Sequence, residues 1–157
     1  TWYEKAAAKD DLDGVNGLAR LYRYGSGVRK DQEKAFEYYQ QASLQDHTRS
    51  QVGLGMAYRD ARGVKKNLVY AYAWFLIAAE KITDQEYRSY RKDYEDRQEN
   101  LNRDDPQCEY VLEGRSFGNI FAVGYAKQLL KDLKKRLSVK QIRKSEVLAE
   151  ELKLTIQ

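Results

Sequence analysis

The chain is poor in the residues that carry much enzyme chemistry and covalent bracing. Its one cysteine, Cys108, excludes an intrachain disulfide and any four-cysteine metal site, and leaves the compartment open. Its one histidine, His47, would have to serve in any histidine-based hydrolytic triad. A single proline, Pro106, leaves long stretches free to be helical. No apolar run approaches the roughly 18 residues that suggest a membrane-spanning helix; the most apolar segment, Ala71 to Ala79, is far shorter. An excess of one charge sign is missing too. The 28 lysines and arginines face 24 acids, a net charge of +4 mixed along most of the chain, which argues against a general polyanion binder.

What is present points to ordered helix. Leu, Ala, Lys, Glu, Arg and Gln dominate many stretches and lose little rotamer freedom in a helix. Charged residues make up 33% of the chain against a norm of about 25%. Over the first half the sequence echoes itself every 36 residues: Trp2, Tyr38 and Trp74, then Ala6, Ala42 and Ala78, with Leu18 and Leu54, Tyr22 and Tyr58, Gly27 and Gly63, Val28 and Val64, and Ala35 and Ala71. Self-similarity at such a period is the mark of stacked supersecondary units.

Each unit reads as two helices joined by a glycine loop. In the first, Asp13 is the expected cap of a helix carrying Val15, Leu18, Ala19 and Tyr22, and Gly25 ends it in the left-handed conformation. Asp31 then caps a second helix with Ala35, Tyr38 and Ala42 inward. The second unit repeats the plan with Leu54, Gly55 and Tyr58, then Gly63 and Val64, then the cap Asn67 before Ala71, Trp74, Ala78 and Ala79. Ala61 stands where the first unit has Gly25, so this helix is expected to end differently. Thr1 to Lys9 match the second half of a unit, so Thr1 is not expected to be the native beginning.

The run Leu18-Ala19-x-x-Tyr22-x-x-Gly25-x-Gly27-Val28-x-x-Asp31-x-x-x-Ala35-x-x-Tyr38-x-x-x-Ala42, followed by Leu54-Gly55-x-x-Tyr58 through Ala78-Ala79, resembles the Sel-one-like repeat (SLR) family, relatives of tetratricopeptide repeats. The resemblance implies an all-α fold, an α/α superhelical solenoid that binds proteins, and here a C-terminal helical capping segment. Residues 1–82 would hold a half unit and two full units, 83–118 a charged helix and loop, and 119–157 a closing helical hairpin. In tetratricopeptide-like arrays the first helix of each unit lines the concave groove. Carried over, this places Asn16, Arg20, Arg23 and Tyr24 there, with Arg49, Val52, Met56 and Arg59 from the next unit. Arg23 and Arg59 echo each other, and a shared structural ion pair competes with a binding role for them. A basic groove implies a partner protein with an acidic surface or segment. Family resemblance also raises an adaptor or bacterial immunity role and a periplasmic or exported location, with the cytoplasm still open.

Behind the repeats, Thr83-x-x-Glu86 forms a capping box opening a charged helix whose Tyr87, Tyr90 and Tyr94 are expected to dock on the last repeat. Residues 103–118 read as loop. From Asn119 an apolar line through Ala126, Leu130, Leu133 and Leu137 marks a helix, and Ser138-x-x-Gln141 caps a last one with Ile142, Ser145, Ala149, Leu152 and Ile156 inward.

Sites for chemistry are sparse. His47 reads as a solvent-facing residue near a helix start, Cys108 as a plain thiol, and Asp104-Asp105 as a solvated loop without the sharp glycine turn of a calcium site. Gly25 and Gly27 lack the Gly-Lys-Ser/Thr of a phosphate loop. No catalytic residue, cofactor or metal is expected. Two alternatives stay in view: a helical hydrolase using Glu80, Asp84 and Glu86, and polyanion binding through the 127–144 stretch, where eight bases face Asp132 alone. That stretch has no aromatic residue to stack bases, and nucleic acid is not the expected partner.

Overall fold

The structure, a computed structural model, describes residues 11–83, 85–89, 92 and 115–156. The half unit at Thr1 to Lys9, together with Asp84, Tyr90, Tyr94, Asp104, Asp105, Pro106 and Cys108, lies outside the described residues. Six helices are prominent among them: α1 (Leu12–Tyr24), α2 (Gln32–Leu44), α3 (Thr48–Asp60), α4 (Leu68–Ala79), α5 (Arg115–Lys134) and α6 (Val139–Lys153). The fold is all-α, an α/α repeat solenoid. Successive helices pair as α1 with α2 and α3 with α4, and α2 packs on α3 to join the units.

Local chemistry sets the ends of each helix. Asp31 accepts a hydrogen bond from the Lys34 amide at 3.0 Å, and Asn67 accepts from the Val69 and Tyr70 amides at 3.1 and 3.2 Å, so both expected caps hold. The cap of α1, however, is Asp11 and not Asp13: Asp11 sits in extended backbone and takes the Asp13 amide at 3.1 Å. Asp13 is thereby inside the first turn, and its carboxylate reaches His47 and Arg49 at the start of α3.

The two glycine loops are near copies. Gly25 and Ser26 both donate their amides to the Leu21 carbonyl, and Asp31 donates to Tyr22 at 2.9 Å. In the second loop Ala61 and Arg62 donate to Ala57, and Asn67 donates to Tyr58 at 2.9 Å. Ala61 therefore does not end its helix differently. It adopts φ 57°, ψ 48°, the same left-handed region as Gly25, because the hydrogen bonds that close the loop outweigh a strain of about 1 kcal/mol on an exposed methyl.

Hydrophobic burial centres on α4. Eight of its twelve residues are buried, so it is apolar on nearly every side and needs neighbours on every side. One core cluster joins Val52 of α3, Tyr72 and Phe75 of α4, and Ala126, Leu129 and Leu133 of α5. The other joins Ala19, Ala35, Tyr39 and Leu54 to Trp74 and Ile77 on α4 and Ala149 on α6. The echoed aromatics do pack: Tyr22 stacks on Tyr38 at 5.7 Å, and Tyr58 sits edge-on to Phe36 at 5.4 Å.

The C-terminal helices complete this burial. The first begins at Arg115, four residues before the expected Asn119, and each of the two lies on α4, with α5 also touching α3. They do not pack lengthwise on each other as a simple hairpin would. Both capping boxes are formed: Thr83 with Glu86, and Ser138 with Gln141. Tyr87 docks on α5, its ring lying over Gly124 and under the Lys127 ammonium at 5.6 Å. No described helix is long and apolar enough to cross a membrane.

Candidate functional site

Four helices contribute to one groove of about 530 Å³. Asn16, Arg20, Arg23 and Tyr24 come from α1, where spacings of three and four put them on one face. Arg49, Val52, Gly53 and Met56 form the strip contributed by α3. Phe121, Ala122 and Tyr125 of α5 supply a further wall, and Tyr39 of α2 reaches in from below. Gly53 has a steric reason to be glycine: a Cβ there would lie 2.5 Å from the Tyr39 ring. Of the eight residues expected from sequence to face the groove, seven line it. Arg59 does not.

Arg23 and Arg59 occupy equivalent positions in successive units but have different partners. Arg59 is gripped by its neighbour Asp60 through Nε at 2.7 Å and a terminal nitrogen at 2.9 Å. Those bonds raise the guanidinium's pKa further and hold the Asp60 carboxyl below its ordinary range. The residue equivalent to Asp60 in the first unit is Tyr24, whose ring lies 5.0 Å from the Arg23 guanidinium. Burial pushes the nearby Tyr39 hydroxyl up, with the Arg23 guanidinium opposing. A structural ion pair thus accounts for Arg59 and not for Arg23. Arg20 is exposed, and none of the described groove-lining residues is acidic.

The third groove arginine, Arg49, pairs with Asp13, which stands one repeat earlier at the equivalent position. Asp13 also accepts from His47 Nε2 at 3.0 Å, while His47 Nδ1 hydrogen-bonds Ser50 Oγ at 2.8 Å and Ser50 Oγ hydrogen-bonds Asn16 Oδ1 at 3.2 Å. His47 is therefore not solvent-facing. It is 9% exposed, because the starts of α1 and α3 meet there and the ring satisfies polar groups from both. Burial lowers its pKa, with the Asp13 hydrogen bond opposing. Carboxylate, imidazole and hydroxyl stand in the order of a hydrolytic triad, but Ser50 is fully buried and its oxygen already lies between His47 and Asn16. A substrate carbonyl has no approach to it in this arrangement. The network clamps two helix starts together.

The period, the loops and the paired helices agree with the comparison to known families: the Sel1 repeat model matches residues 1–11, 13–47 and 48–81, just over half of the chain. The chain belongs to the Sel1 repeat family. Among solved structures it is similar to c5321, described as a protective antigen present in uropathogenic Escherichia coli strains displaying an SLR fold, at 22% identity and a TM-score of 0.66 over 99% of this chain. A Sel1 repeat protein from Oxalobacter formigenes shares 31% identity over 53% of the chain with a TM-score of 0.47. The chain spans 25% of the first protein's length and 34% of the second's. No functionally curated protein matches it. Sel1 repeat proteins are generally noncatalytic scaffolds for protein interaction.

The Sel1 repeat pattern explains the α1 and α3 sides of the groove but not its other contributors. Tyr39 was missed in favour of Tyr38, although it stands 36 residues before Phe75 just as Tyr38 stands before Trp74, and it is the more buried of the two adjacent tyrosines. Phe121 and Tyr125 lie beyond the repeats, where only their i, i+4 spacing marks a shared face.

Other features of this Sel1 repeat protein are less suited to a site. A second cavity of about 410 Å³ is lined by Asp46, Ile77, Glu80, Lys81, Lys153 and Ile156, and its charges are matched: Lys81 pairs with Asp46, and Lys153 with Glu80 and Glu150. Glu80 is thus an ion-pair member and Glu86 a helix cap. Their ties fit neither residue for acid–base work. Among the described residues no cluster of three or more His, Cys, Asp or Glu side chains could hold a metal ion. In the basic stretch Lys127 donates to the Ile82 carbonyl at 3.2 Å, while Lys131, Lys134, Lys135, Arg136, Lys140, Arg143 and Lys144 are exposed around the α5–α6 turn.

Proposed function

We propose that this protein is a noncatalytic scaffold that captures a partner protein by an acidic segment laid in the groove of α1, α3 and α5. The observation that carries the reading is the convergence of Arg20, Arg23, Arg49, Tyr24 and Met56 on one groove with no acid among its described lining residues. Arginine forks suit carboxylates, tyrosine offers contact area at low entropy cost, and methionine adapts to varied apolar groups. A division into repeats (1–82), a charged connection (83–118) and a closing segment (119–157) belongs to the same reading, as does an adaptor or immunity role in which the bound segment is masked.

The test is capture of the partner from the native host, identified and then measured with purified proteins. Arg20→Glu with Arg23→Glu should abolish binding while the helical circular dichroism stays unchanged, because Arg20 is exposed and Arg23 only half-buried. Unaltered affinity would exclude the groove.

A further inference from the structure

The groove has two chemically different sides. On α1, Arg20 and Arg23 present cationic forks; on α5, Phe121 and Tyr125 present rings that are 49% and 48% exposed, and Tyr24 at the arginine end is 61% exposed. Three half-exposed aromatic side chains around one concavity are costly to leave in water, whereas aromatic pairs gain about 0.5–1.5 kcal/mol beyond their area when they meet in offset or edge geometry. Arg59, fixed by its two bonds to Asp60, stands near Tyr125.

Resting on the reading of the groove given above, we propose that it recognises a bipartite acidic–aromatic segment: carboxylates taken by Arg20 and Arg23, and an aromatic side chain of the same segment inserted against Tyr24 and Tyr125 over Met56. A purely acidic segment would use one side only. The Met56 thioether, half-buried in the strip between the two walls, suits the edge of an inserted ring.

Two fluorescein-labelled glutamate peptides of equal length and charge provide the probes, one with a central phenylalanine and one with a central alanine, read by fluorescence anisotropy at low salt. The phenylalanine peptide should bind about tenfold tighter, the equivalent of one good aromatic contact. Tyr24→Ala with Tyr125→Ala should bring the two affinities within about twofold of each other, whatever loss both peptides share from removing the Tyr24 ring beside Arg23. Arg20→Glu with Arg23→Glu should abolish both. Circular dichroism confirms that each variant is folded, and Tyr125→Phe, which keeps the ring, should retain the preference. Equal affinities on the unaltered protein would overturn the aromatic pocket and leave the basic groove standing. Failure of both peptides to bind would overturn the acidic-segment reading and the pocket with it.

Discussion

Gly27 and Gly63 stand 36 residues apart in equivalent loops with nearly equal φ angles, 74° and 70°, yet alanine should be tolerated very differently at the two. The shared cost is the left-handed conformation, about 1–2 kcal/mol for a residue with a Cβ. At Gly27 that is the whole cost, because a Cβ built there meets nothing within 4 Å. At Gly63 the new carbon would clash with the Gln32 carbonyl oxygen, lie 2.5 Å from its carbonyl carbon and sit 2.9 Å from Glu33 Cα, all backbone at the start of α2 in the preceding unit. Backbone cannot rotate aside, so the loop must lift from the neighbouring repeat, adding about 1–3 kcal/mol of overpacking strain. For a chain of this size each kcal/mol lowers Tm by about 2–4 °C. Gly27→Ala should therefore lower Tm by a few degrees, and Gly63→Ala by at least about twice as much, followed by far-ultraviolet circular dichroism on heating. Equal losses at the two positions would refute the claim that the second loop is seated on the first repeat.

Two more perturbations probe the same framework. Ala61→Gly removes left-handed strain from an exposed position and should stabilise by about 0.5–1 kcal/mol after the extra freedom of unfolded glycine is subtracted, seen as a raised urea midpoint; an unchanged or lowered midpoint would mean the strain is absent. For His47 the folded pKa is lowered by burial, so as pH falls the unfolded chain binds the proton before the folded one does, and its contribution is full above the ordinary histidine value of about 6.5. Stability should drop as pH falls below that value and level off once the folded form also protonates, and His47→Gln should remove this part of the slope; an unchanged slope would assign it to other groups.

Much of the fold could be read from sequence because a repeat states the same packing twice. Leu18 with Leu54, Ala35 with Ala71, and the glycine loops were legible as echoes before any contact was known, and all are found in the cores or turns. The caps Asp31 and Asn67 were legible from one side chain and one helix start. Asp13 misled because a helix cap can be any nearby acid, and Asp11 lies only two residues away; which one caps depends on where α3 draws the other carboxylate. His47 misled for a related reason. Its neighbours in sequence are polar, but its neighbours in space are Asp13 and Asn16, brought over by stacking of the units. The α5 wall of the groove was beyond reach, since nothing periodic links Phe121 and Tyr125 to the repeats they pack beside.

The same stacking gives the groove a direction. Positions 36 apart become neighbours between units, so a difference at an echoed position is also a difference along the groove. Asp13 and Arg49 are such a pair, and their opposite charges bind the units while drawing down Arg49's availability to a ligand. Tyr24 and Asp60 are another: the carboxylate occupies Arg59, whereas the ring leaves Arg23 its charge. Uncompensated positive charge is therefore greatest at α1, is reduced at α3 by Asp13 and Asp60, and gives way to rings at α5. On the proposed reading an acidic–aromatic segment has one favoured orientation, carboxylates toward α1 and ring toward α5, because reversing it would set its charges against Phe121 and Tyr125, where α5 adds no cation to the described lining of the groove.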